Sequence, residues 1–266
     1  MGAIDNMRIV CVGDSITRGV TWIHGGLHIL RETYPKLLQA GLSMAGQAGV
    51  DRSDKEEVIE VVNRGVFNDN SDGLVRRLEK DVIALQPDVV VIEIGANDST
   101  FHWDEVAKAP DEQHVAVVPL KRYLENMTKI VERVREAGGV PLVLTLLPTD
   151  PARYYMSIAK TYGKQIAHWI ACCGGIEPWH RNYDEALQGL IAKLGVDFIN
   201  LRTEYQSAPQ EDAPLMSPDG IHLTAQGYEW LSNVVRDGLR SLDAWKSYLT
   251  PGTAQADPSG TLSPAP

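Results

Sequence analysis

The chain alternates short, near-continuous apolar runs with longer stretches whose apolar residues recur at helical spacing. Runs of the first kind occupy residues 8–12, 58–62, 89–94, 142–147 and 198–201 and are built mainly of Val, Ile and Leu. Apolar runs this short predict strands buried on both faces. Stretches of the second kind, at 73–85, 119–137, 183–194 and 225–242, predict amphipathic helices. In the first of these, Leu74, Val75, Leu78, Val82 and Leu85 fall near i, i+4, i+8 and i+11 and form one stripe, with Ser71 or Asp72 placed to cap its start.

Strands that alternate with helices need crossover connections, and crossovers give parallel pairing with helices on both faces of the sheet. The fold class expected is therefore α/β, a three-layer α/β/α sandwich around a mostly parallel five-stranded sheet, in a single domain over residues 1–249. Residues 149–179 follow neither period; with three tyrosines, two tryptophans, Cys172, Cys173, Gly174 and Gly175 they read as an insertion over a site. From 250 to 266 the composition turns to Pro, Gly, Ser, Thr and Ala, which predicts a disordered tail.

Composition narrows the classes. Apolar residues make up 44% of the 266 positions and charged residues 23%, as in ordinary globular proteins. With 25 Lys and Arg against 35 Asp and Glu, the formal charge is -10, so the electrostatic footprint of a nucleic-acid partner is missing. Three cysteines, Cys11 and the adjacent Cys172 and Cys173, suit neither a disulfide framework nor a zinc site. The first ten residues lack the basic-then-apolar pattern of a signal peptide, and no stretch has the length of a transmembrane segment. Together these features read as a cytoplasmic protein.

The chemistry sits at the ends of the predicted strands. Gly13-Asp14-Ser15-Ile16-Thr17-Arg18-Gly19 follows the first, where an open α/β sheet places its ligand crevice. The segment is neither G-x-G-x-x-G nor G-x-x-x-x-G-K-[ST], so nucleotide binding loses its main support, and Thr17 breaks the G-x-S-x-G elbow. Alone, the tripeptide is as much a helix cap as a nucleophile loop. Asp219 and His222, in Ser217-Pro218-Asp219-Gly220-Ile221-His222 just before the last helix, supply a base and a carboxylate to orient it; alone, D-x-x-H is more often a solvated loop. Gly65 after the second strand and Asn97 after the third are candidate oxyanion donors beside the Ser15 N–H, or else plain turn residues. Four such groups at one sheet edge argue for chemistry over coincidence.

In these four blocks, Gly13-Asp14-Ser15, Gly65, Gly95-Ala96-Asn97-Asp98 and Asp219-Gly220-Ile221-His222, the chain resembles the SGNH hydrolases, also called the GDSL esterase/lipase family, over residues 7–242. The resemblance implies a flavodoxin-like fold and a catalytic triad of Ser15, His222 and Asp219. It also implies an oxyanion hole of Ser15, Gly65 and Asn97, and no metal or organic cofactor. The implied activity is a serine hydrolase of carboxylic esters with a small-molecule substrate. Aromatic residues in candidate loops, and the lack of a membrane-binding helix, favour short acyl esters of carbohydrates, acetyl above all. The alternatives are a lysophospholipase, an acyl thioesterase, or a non-catalytic carbohydrate- or acyl-binding module. Asp14 reads as structural, and His24, His102 and His180, each close to a tryptophan, as pocket-lining or packing residues.

Overall fold

A computed structural model describes residues 6–47, 59–208, 214–243 and 245. The chain opens with β1 (Met7–Gly13), α1 (Ser15–Arg18), β2 (Val20–Ile23), β3 (Gly26–Ile29) and α2 (Tyr34–Gln47). It continues with β4 (Ile59–Gly65), α3 (Ser71–Asp81), β5 (Val89–Glu93), α4 (Ala96–Ser99), α5 (Trp103–Lys108), α6 (Leu120–Glu136) and β6 (Val140–Leu144). The last part is α7 (Pro151–Tyr162), α8 (Ile166–Cys172), α9 (Ile176–Leu194), β7 (Asp197–Ile199), α10 (Leu201–Ser207) and α11 (Ala225–Ser241).

Five strands form one sheet in the order β4-β1-β5-β6-β7, and every pairing in it is parallel. Counting only these strands, the order is 2-1-3-4-5, the flavodoxin-like order, whose direction reverses between β1 and β5. Alternate strand residues point to opposite layers. Val10, Val12, Val90 and Ile92 pack with Leu74, Met127, Ile130 and Leu187 of α3, α6 and α9. Ile9, Cys11, Val89 and Val91 pack with Leu38, Leu231 and Val235 of α2 and α11. Each such side chain, buried in full, contributes about 1.5–3 kcal/mol, and the two-sided burial is why these strands read as continuous apolar runs.

Several local expectations change. The cap of α3 is Asn70, whose side chain accepts from Gly73 N at 3.0 Å; Ser71 instead turns inward onto Asp98. Residues 149–179 are helical, not irregular: Asp150 caps α7 with Pro151 in its first turn, and Gly163, Gly174 and Gly175 separate α7, the seven-residue α8 and α9. Helix α9 begins at Ile176 rather than at 183. The antiparallel hairpin β2-β3 went unpredicted; its turn residues His24 and Gly25 both have positive φ, 52° and 79°, the signature of a tight primed turn. Val58 and the tail expected at 250–266 lie outside the described residues.

Candidate active site

The carboxyl ends of β1, β4 and β5 meet at the point where strand order reverses. β1 stops at Gly13, which has no room for a side chain because a Cβ there would meet the Glu93 carbonyl oxygen and Thr17 Oγ1. Asp14 caps α1 by accepting from Ile16 N at 2.9 Å, which sets Ser15 at the head of that short helix. Gly65 ends β4 directly behind it, where a Cβ would run into the backbone of Thr17 and Arg18. We expect Gly65→Ala to push the Ser15 turn out of place; a fall in both melting temperature and any hydrolysis of p-nitrophenyl acetate, measured side by side, checks this.

The loop Ser217 to His222 closes on itself before α11. Ser217 N donates to His222 O at 2.8 Å and Gly220 N to Ser217 O at 3.1 Å. Gly220, at φ 80°, packs against Tyr154 N and Asp150 O, so only glycine fits. Asp219 Oδ1 accepts from Ser217 Oγ at 2.7 Å, His222 N at 3.1 Å and Ile221 N at 3.3 Å. Its Oδ2 lies 2.6 Å from His222 Nδ1, and His222 Nε2 lies 2.9 Å from Ser15 Oγ. Burial alone would raise Asp219, but the His222 hydrogen bond and charge, with the Ser217 and backbone donors, hold it down at about 2. The carboxylate is thus ionised at any working pH, which fixes the Nδ1 proton and leaves Nε2 as acceptor for the serine proton.

Asn97 stands across the cleft on α4, and its Nδ2 donates to Asp69 O at 2.7 Å, with Asp14 Oδ2 at a longer 3.3 Å. The loop that offers this carbonyl is held by Arg77, which donates to Asp69 Oδ2 at 2.7 Å, Arg64 O at 2.8 Å and Gly13 O at 3.0 Å. Asp98, pushed up to about 7 by burial, accepts from Ser71 N at 3.0 Å and ties the same edge to α3. Burial likewise pushes Asp14 up to about 6 and its neighbour Glu93 well above the carboxylate range.

Not every predicted site residue arrives in the cleft. Ser15, Asn97, Asp219 and His222 line it, whereas Gly65 does not, and the Gly65 N–H is engaged by Asn63 Oδ1 at 2.8 Å. Asn68, three residues on, lines the cleft in its place with φ 57°, and its N–H has no hydrogen-bond partner among the described residues. No motif marks Asn68; the one available signal is that Asn tolerates left-handed backbone. His180 lines the cleft with Trp22, Trp103 and Trp179, while His24 and His102 do not.

The cleft has a volume of about 340 Å³. Part of its lining is exposed, Leu27 of the hairpin and Phe67, with Trp22 paired to Leu27 across the hairpin. Another part is an enclosed wall of Phe101, Trp103, Ile158, Ile170 and Trp179, on and around α5, α7, α8 and α9. Phe101 stacks near Trp103, Trp169 and Trp179 with ring centroids 5.5, 5.8 and 5.1 Å away.

The model of the GDSL-like lipase/acylhydrolase family matches residues 11–230, from inside β1 into α11. The chain belongs to this family. Membership implies hydrolysis of ester bonds. Among curated relatives, a GDSL esterase/lipase of Arabidopsis thaliana, At2g38180, is 31% identical over 196 residues, which is 71% of this chain and 56% of the relative. The lipoprotein YqeF of Bacillus subtilis is 21% identical over 238 residues, 86% of this chain and 88% of the relative. Among solved structures, a lipase/acylhydrolase from Enterococcus faecalis has a TM-score of 0.63 at 20% identity, covering 88% of this chain and 95% of that one. The acetylxylan esterase Axe2 from Geobacillus stearothermophilus has 0.58 at 20%, covering 87% and 93%. At these identities the two structures speak for the fold.

YqeF also corrects the expectation of a cytoplasmic protein, because a lipoprotein relative points to membrane anchoring or secretion. The cysteine content and the first residues were poor guides: a small folded domain needs no disulfides in any compartment, and an anchor leaves no mark on the composition of the domain it carries. Among the described residues no helix is long and apolar enough to cross a membrane.

Proposed function

We propose that this protein is a serine esterase that works through an acyl-enzyme, and that its substrates are short acyl esters of carbohydrates, acetyl esters first. The observation that carries the reading is the continuous hydrogen-bonded chain from Asp219 through His222 to Ser15 on the floor of the cleft, at 2.6 and 2.9 Å. His222 Nε2 takes the Ser15 proton as Oγ attacks the ester carbonyl, and then returns that proton to the leaving alcohol oxygen. Water, deprotonated by the same nitrogen, releases the acid and restores Ser15.

The negative charge on the former carbonyl oxygen is held by the Ser15 N–H, by the Asn97 amide N–H that exchanges its longer 3.3 Å contact with Asp14 Oδ2 for the substrate oxygen and, in place of the expected Gly65, by the Asn68 N–H. A cleft near the lower end of the roughly 300–1,000 Å³ range of ligand pockets favours a small ester. The Axe2 structures, those of an esterase of acetylxylan, share the fold and make an acetylated sugar the natural first substrate.

The test is hydrolysis of p-nitrophenyl esters from acetate to palmitate, with an acetylated xyloside alongside, by the protein and its Ser15→Ala variant. Acetate preference that disappears with Ser15 supports the reading; preference for long chains, or activity independent of Ser15, overturns it. In the same assay Asn97→Ala is expected to lower kcat by about 10²–10³. Far-ultraviolet circular dichroism should show the fold intact.

A further inference from the structure

We propose that the cleft carries a polar anchor, the Nε2–H of His180 together with the Thr149 hydroxyl, that selects esters whose bound half is a hydroxylated ring over esters whose bound half is hydrocarbon. The proposal deepens the esterase reading and rests on it for the position of the scissile bond.

His180 projects from α9 into the cleft and is only 6% exposed. Its Nδ1 lies 2.7 Å from Arg202 Nη2. A guanidinium can only donate, so Nδ1 is the acceptor and the ring proton of the neutral imidazole sits on Nε2. Arg202 is fixed in turn by Glu177 Oε1 at 2.7 Å and by Asp184 Oδ2 at 3.2 Å, and Asp184 accepts from Leu146 N at 2.8 Å. The tautomer and the ring orientation are therefore set before any ligand arrives. Burial, followed by the Arg202 charge, pushes His180 down to about 3, so it stays a neutral donor throughout the working pH range.

Among the described residues His180 hydrogen-bonds through Nδ1 only, which leaves Nε2–H for a ligand, and the buried Thr149 Oγ1, which lines the same cleft, has no partner. Trp169 Nε1, behind Phe101, is also unpartnered but does not line the cleft, whereas the polar atoms of three residues that do line it are engaged. Trp179 Nε1 donates to Ser99 O at 2.7 Å, Trp103 Nε1 to Thr100 Oγ1 at 3.1 Å, and Tyr154 OH lies 3.2 Å from Thr100 Oγ1. With those polar atoms engaged, the aromatic residues offer a ligand their ring faces. A hydrocarbon chain seated there would cover the faces and strand the His180 N–H and the Thr149 hydroxyl in a dry site. A hydroxylated ring lays C–H faces on the aromatic rings and supplies oxygens to both groups. A site built to hydrogen-bond an oxygen rejects the analogue that lacks it by more than an apolar site can.

The test uses the Ser15→Ala protein, which binds esters without turning them over. Calorimetry compares a monoacetylated methyl xyloside with cyclohexyl acetate, which shares the acetyl group and the six-membered ring but has no free hydroxyl. We expect the sugar ester to bind about tenfold tighter or better. Adding His180→Phe or Thr149→Val should shrink that preference to about twofold, while His180→Gln, which restores an N–H donor, keeps part of it. Equal binding of the two esters, or a preference that survives both His180→Phe and Thr149→Val, overturns the proposal. Thr149→Val is nearly isosteric, so it decides alone if His180→Phe does not fold. Turnover of both esters by the Ser15 protein is measured in parallel: no hydrolysis of either counts against the esterase reading, and the binding preference still decides the anchor.

Discussion

Ser15→Ala is expected to lower kcat for an acetate ester by about 10⁴-fold or more, because the variant loses the atom that forms the acyl-enzyme and keeps only the donors around it. The same change removes a single hydrogen bond, the one to His222 Nε2. One such bond is worth about 0.5–1.5 kcal/mol, a shift of a few degrees in Tm for a domain of this size. Initial rates of p-nitrophenyl acetate hydrolysis and a calorimetric scan on the same preparation separate the two effects. Retention of more than about one hundredth of the activity would remove Ser15 from the role of nucleophile.

Asp219→Asn should cost almost as much, about 10⁴-fold in kcat, with no change of shape. The reason lies in how the carboxylate is seated. Three donors, from Ser217 Oγ, Ile221 N and His222 N, converge on Oδ1, so an asparagine must put its carbonyl oxygen there and its NH₂ toward His222 Nδ1. That NH₂ forces Nδ1 to accept and moves the ring proton to Nε2, where it blocks proton transfer from Ser15. A pH series checks the same seat from the stability side. Asp219 titrates at about 2 in the folded protein against a usual 3.8, so the carboxylate contributes stability that is complete above about pH 4 and is lost as pH falls toward 2. The asparagine variant lacks this acid-side loss, and melting temperatures between about pH 2 and 6 for the two proteins should converge at the acid end.

The sheet and the nucleophile loop were legible in the sequence because strong local rules govern them. Strands buried on both faces have to be apolar throughout, and the Gly13-Asp14-Ser15 turn has to end the first of them. The Ser217 to His222 loop was legible for a similar reason: its carboxylate and its base are three residues apart and meet without help from distant chain. Gly65 shows where such reading stops. The glycine is required, but by the backbone of Thr17 and Arg18 packed against it, and its N–H is taken by Asn63. The donor proposed in its place, Asn68, is singled out by its left-handed backbone rather than by residue type. The enclosed wall was invisible for another reason. Gly163, Gly174 and Gly175 interrupt the segment at closely spaced positions, and the gathering of Phe101, Trp103, Trp169 and Trp179 exists only once the helices are docked. His180 was noticed for its neighbouring tryptophan, but its partner Arg202 lies 22 positions away, in α10.

The two reacting side chains are 207 positions apart, Ser15 just after the first strand and His222 just before the final helix. A chain growing on the ribosome therefore exposes Ser15, the proposed nucleophile, long before His222, its proposed base, has been made. On the proposed mechanism a chain lacking His222 is expected to be inactive, with hydrolysis starting only when α11 docks against α2 and His222 meets Ser15. If the proposed triad holds, ester cleavage would report complete folding. If the polypeptide were divided in the loop between α10 and α11, it would yield two silent pieces whose reassembly could be followed by the return of activity alone.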